Sequence, residues 1–160
     1  MALLQSKLAD ELAKMEPVDN EPAAINSLAN AWEIYFSAAM AGVIPVNPGS
    51  LGPAIALFKT TLAGMSVPGA AIVKLPAALG AFWGIVSGTA GGIFTGTTGA
   101  TPPPGLAAGL VPGLLDAFQK NLDGNADLKA AANSIAKVLH ENAGLGGTAV
   151  TTPGPVVNIV

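Results

Sequence analysis

The sequence predicts an all-α protein: a bundle of about five to six short helices, each ended by glycine, with an extended apolar arm at the carboxyl end. Three observations predict it. Apolar residues recur at helical period along most of the chain. Four of the five Phe residues stand in one frame, in which a Phe is followed four residues on by an aliphatic residue or Met and two residues later by Gly. The instances are Phe36-Met40-Gly42, Phe58-Leu62-Gly64, Phe82-Val86-Gly88 and Phe118-Leu122-Gly124. Proline and glycine clusters separate the periodic stretches. Residues four apart share a helical face, and a Gly just beyond suits the left-handed position that closes a helix. Pro53, Pro76 and Pro112 precede three of these Phe residues by five or six positions. That distance suits a first helical turn, where a missing N–H costs nothing. The intervals between the Phe residues are unequal, so the frame reads as a shared way of ending helices rather than a repeat array.

Residues 3 to 15 place Leu3, Leu4, Leu8 and Leu12 on one face of a short amphipathic helix, ended by Met15-Glu16-Pro17. Asn20-Glu21-Pro22 opens a second helix running to about Ala41, with Ile25, Leu28, Ala29, Trp32, Tyr35, Phe36, Ala39 and Met40 in its apolar stripe. Residues 42 to 50 form a Pro/Gly-rich connection, and Ser50 caps a helix to about Ala63. Pro68 starts the next helix, which Pro76 is expected to kink or divide. Residues 91 to 104 read as the clearest loop, closed by three prolines. Residues 105 to 122 are expected to be helical, with a bend at Pro112-Gly113. Asn125 or Asp127 caps a last helix closed by Gly144. These elements make a helical domain over 1–145. Residues 146–160 form the arm, uncharged and β-branched, in which Pro153 and Pro155 limit internal strand formation. Val156, Val157, Ile159 and Val160 are the candidate interface residues, able to add as an edge strand to a partner.

The chain of 160 residues has the size of one domain. It is 51% hydrophobic but only 5% aromatic, and Ala and Gly dominate. Such side chains bury little area each, so the fold is expected to lean on neighbouring subunits. Only 11% of residues are charged, against the roughly 25% of an ordinary domain. Low charge with high apolar content argues against disorder and leaves surface to be covered by protein or lipid. All seven basic residues are Lys, and the net charge is -3. Without the bidentate guanidinium that suits phosphate and base edges, no nucleic-acid partner is expected. There is no Cys, which removes disulfides and thiolate metal sites. The amino terminus lacks the order of a signal peptide, with Asp10 and Glu11 interrupting any apolar run. A cytoplasmic product, or a particle assembled there, is expected.

Residues 34 to 58 and 75 to 115 carry no charge, and both runs exceed the ~20 residues that span a bilayer. Gly91, Gly92, Gly96, Gly99 and Pro102 to Pro104 cut one of them; Pro45, Asn47 and Pro48 cut the other. The best stretch, Leu75 to Phe94, is Ala/Gly-rich, a composition weaker than that of a typical span. Membrane contact, as by a pore-forming or holin-like protein, stands as the alternative reading.

Catalytic chemistry is sparse. His140 is the only imidazole, and no motif sets it beside a nucleophile. It reads as a surface or helix-end residue, favoured there by the terminal carbonyls. Glu33, beside Trp32, is expected on the solvated face. The stretch from Asp123 to Asp127 lacks the ligand alternation and closing Glu of a calcium loop. The glycines from Gly88 to Gly99 match no phosphate loop. No enzyme activity, cofactor or metal is expected.

Three segments carry a resemblance: Ala31-Trp32-Glu33-Ile34-Tyr35-Phe36 before a small-residue run, the join from Thr101 through Pro104 to Ala107, and Gly146-Gly147 before the apolar tail. In these the chain resembles the small virion structural proteins of contractile-tailed phages and related injection machines. The resemblance implies a non-catalytic subunit of a tail or baseplate, located in the virion, that assembles with copies of itself or other structural subunits. It assigns no role to any individual residue.

Overall fold

A computed structural model describes residues 3–15, 20–67, 69–123, 127–152 and 154–160. The chain is α+β, and this corrects the all-α expectation: the helices are joined by a curled five-stranded antiparallel sheet. The helices are α1 (Gln5–Ala13), α2 (Glu21–Phe36), α3 (Gly52–Leu62), α4 (Ala70–Gly88), α5 (Ala90–Ile93), α6 (Gly105–Ala108), α7 (Leu110–Asp123) and α8 (Leu128–Leu139). The strands are β1 (Met40–Ala41), β2 (Ile44–Pro45), β3 (Thr97–Thr101), β4 (Gly147–Thr151) and β5 (Val156–Ile159), in the spatial order β2-β1-β5-β4-β3. The expected arm is therefore a hairpin of two inner strands. β5 pairs with β4 on one side and with β1 on the other, and Met40 and Val160 exchange backbone hydrogen bonds of 2.8 and 2.9 Å.

Local chemistry explains several helix boundaries. Asn20 Oδ1 accepts from the Ala23 N–H at 2.8 Å, and Asp127 Oδ1 from the Ala130 N–H at 2.7 Å, so both side chains cap their helices. Gly64 follows α3 with φ +85, the left-handed closure its frame predicts. The other frames resolve differently. Gly42, φ +61, turns the β1–β2 hairpin after α2 has already ended at Phe36. Gly88 is the last helical residue of α4, and Gly124 lies outside the described residues. Ser50 sits in a 3-10 turn, and Leu51 occupies the cap of α3 without a side-chain bond. Pro76 does not divide α4, whose helix continues on both sides of it. The break between α6 and α7 falls at Gly109, before Pro112. The expected loop from 91 to 104 instead holds the end of α5 and all of β3.

The aromatic residues are few but concentrated. Trp32 lies 6.3 Å from Phe36, 6.5 Å from Phe58 and 5.8 Å from Phe82, measured between ring centroids. Three of the four framed Phe residues thus converge on one indole. Phe36 also meets Phe82 at 4.8 Å and Trp83 at 5.4 Å, both edge to face, a geometry that adds about 0.5–1.5 kcal/mol per pair beyond burial. Along α4 the buried residues Leu75, Ala78, Leu79, Phe82, Trp83 and Val86 form one helical stripe against this cluster.

Candidate functional site

Three features stand out from the ordinary packing. The first joins α2 to the end of α8. The last turn of α8 widens into a π turn, His140–Gly144, a departure often found at functional positions. It is held from both sides. The hydroxyl of Tyr35 lies 2.7 Å from His140 Nδ1, and Trp83 Nε1 donates to the carbonyl of Ala143 at 2.7 Å. A Cβ on Gly144 would stand 2.1 Å from Tyr35 Oη, and one on Gly147 2.8 Å from the Trp83 ring. The two glycines let the aromatic side chains reach the backbone. Burial holds the Tyr35 hydroxyl protonated far above the ordinary phenol range. It also pushes the His140 imidazole below its usual value, against the opposing charge of Glu141. His140 is thus a half-buried partner of a core tyrosine, a role its position on the chain does not reveal.

The second feature is the outward face of the sheet. Residues directly opposite in an antiparallel ladder share a face. Gly99, Val150 and Val156 form one such row, and Thr101, Thr148 and Asn158 the next. None of these is charged, and neither is any other strand residue. Of the predicted interface residues, Val156 is 62% exposed and Val160 37%, while Ile159 is fully buried and half-buried Val157 packs against the Gly42 turn. The alternation splits the four residues between the two faces. Their backbone is engaged within the chain, so what they offer outward is side-chain surface. Val43, at the tip of the β1–β2 hairpin, is 87% exposed.

The third feature is an apolar cavity of about 420 Å³, open on one side and lined by residues of α1, α2, α3, α4, α7 and α8 together with Met15 and Met65. Sequence periodicity marks such positions as core and carries no signal that they leave a space.

Among the described residues no group of three or more His, Asp or Glu converges as a metal site would. Glu33 makes no side-chain hydrogen bond or ion pair among them and lies on the half-exposed side of α2. α4 is the one described helix long and apolar enough to cross a membrane by length and composition. No family model, curated relative or solved structure matches the chain.

Proposed function

We propose that this protein is a non-catalytic structural subunit of a multi-protein assembly, and that the assembly is the tail or baseplate of a phage-like particle. The uncharged outward face of the sheet is the observation that supports the subunit reading. A sheet face left in water is ordinarily studded with Lys, Glu or Arg, which oppose edge and face association. Here Thr, Val, Gly and Asn stand in those places, with exposed Val150 and Val156 directly opposite each other. An uncharged face with paired exposed valines supports contact with another protein. The phage-like setting rests on the sequence resemblance alone.

Size-exclusion chromatography with light scattering across a wide concentration range tests the subunit reading. Mass above that of one chain, rising with concentration, is the expected result. A single 15.8 kDa species at every concentration contradicts it.

Membrane contact is a second reading, supported by α4. Its buried stripe is committed to the aromatic cluster, while Val73, Ala77, Gly80 and Gly84 remain outward. Recovery of the protein from cells without detergent, wholly in the soluble fraction, rejects it.

A further inference from the structure

The cavity among the helices has a lining of wholly apolar side chains. It exists because small residues occupy positions where a bundle ordinarily carries Leu: Ala24, Ala71, Ala131 and Ala132 all line it. Its volume, about 420 Å³, falls within the roughly 300–1,000 Å³ of small-molecule sites. Every lining side chain is apolar, so ordered water finds no polar partners on the walls. Protein interiors do not ordinarily keep such space empty.

The depth of the site limits its occupant. Leu62 and Ala132 are fully or almost fully buried and Leu128 is 54% exposed, so the site runs from the interior to the surface, a shape that suits a slender flexible chain. Met15 and Met65 supply adaptable walls for such a chain. Of the cations near it, Lys74 stands beside the turn after α3. Lys74 precedes the lining residue Leu75, and its Cε comes within 3.8 Å of where a Cβ on Gly64 would lie, next to lining Met65. Among the described residues Lys74 forms no ion pair. Glu21 is an anion near the same turn, and its carboxylate is held by the Gly64 N–H and the Ser66 hydroxyl rather than by an ion pair with Lys74. We infer that the cavity binds the aliphatic tail of a single-chain carboxylate, a fatty acid, with Lys74 as the counter-charge at its mouth.

The test uses the full chain, stripped of lipid, with a polarity-sensitive fluorescent probe displaced by dodecanoate or by dodecanol. Saturable displacement by dodecanoate at one molecule per chain is expected. Ala132→Leu, with Ala71→Leu as a second filling variant should the first misfold, is expected to weaken displacement by at least about tenfold, with circular dichroism unchanged. Lys74→Ala is expected to weaken dodecanoate several-fold and leave dodecanol unaffected. Absence of saturable displacement, or full affinity in a folded filled variant, overturns the site. Equal behaviour of dodecanoate and dodecanol towards Lys74→Ala overturns the carboxylate assignment.

Discussion

The hydroxyl of Tyr35 and Nδ1 of His140 lie 2.7 Å apart although 105 residues separate them in the chain. This contact fastens the π turn that ends α8 to the middle of the core. Because His140 is the only histidine, the protein has one imidazole through which stability can respond near neutral pH. Burial lowers its folded-state pKa below the unfolded value near 6.5, so the unfolded chain binds the proton more readily. The contribution is therefore fully present above that unfolded value and is lost as pH falls through the lower, folded-state value. Chemical denaturation at pH 7.5 and 5.5 is expected to show lower stability at the acid end, with the difference reduced in His140→Gln. An equal drop in His140→Gln places the dependence elsewhere.

Tyr35→Phe removes the hydroxyl and keeps the ring. The loss of one hydrogen bond and the stranding of its partner are expected to cost about 1–2 kcal/mol at pH 7.5. Gly144→Ala tests the same junction sterically. A methyl group there meets Tyr35 Oη at 2.1 Å, and overpacking of this order is expected to destabilise by about 1–3 kcal/mol. In the double variant with Tyr35→Phe the cost of the alanine is expected to shrink, since the clashing oxygen is gone. Urea denaturation of the four proteins completes that cycle.

The two tryptophans make opposite use of their N–H groups. Trp83 Nε1 donates to Ala143, whereas Trp32 Nε1 is buried without an acceptor among the described residues. Replacing either by Phe removes similar volume from the core. Trp83→Phe also strands the Ala143 carbonyl, so it is expected to cost about 1–3 kcal/mol more than Trp32→Phe. Equal losses in thermal and urea denaturation argue against the Trp83 hydrogen bond as a structural tie.

β5 offers a comparison on a single strand. Ile159 is completely buried and Val156 largely exposed. Ile159→Ala is expected to cost about 2–5 kcal/mol, and Val156→Ala within about 0.5 kcal/mol. A small effect of Ile159→Ala on the melting temperature restores the picture of a free arm and removes the sheet.

The helical part of this fold is legible wherever local chemistry decides it. Asn20, Asp127 and Gly64 each act at a helix end through their own side chain or lack of one, and the Phe36, Phe58 and Phe82 frames point to the core. The sheet is not legible because the pairings that join its two short hairpins and β3, namely β1 with β5 and β3 with β4, are non-local. β1 and β2 have two residues each, too few to show a period. β3 reads Thr-Thr-Gly-Ala-Thr with an irregular register, which resembles a loop. The β-branched tail is recognisable as extended, but its partners Met40–Ala41 lie more than a hundred residues away. Ser50 shows the reverse failure, a favourable cap residue overruled by the turn that Pro48 begins. Within the segment named as the candidate interface, the sequence does not show the pleat, which sends Val156 outward and Ile159 inward. The Tyr35–His140 contact and the cavity depend on how helices meet, and single-helix periodicity is blind to that.

Sedimentation equilibrium of the native protein beside the Val150→Lys/Val156→Lys double variant tests the subunit account most directly. Both positions are exposed, so the variant is expected to fold, while two ammonium groups on one row of the sheet oppose its burial. The native mass is expected to climb with concentration and the variant to stay at 15.8 kDa. Native protein that sediments as a lone chain throughout, indistinguishable from the variant, contradicts it.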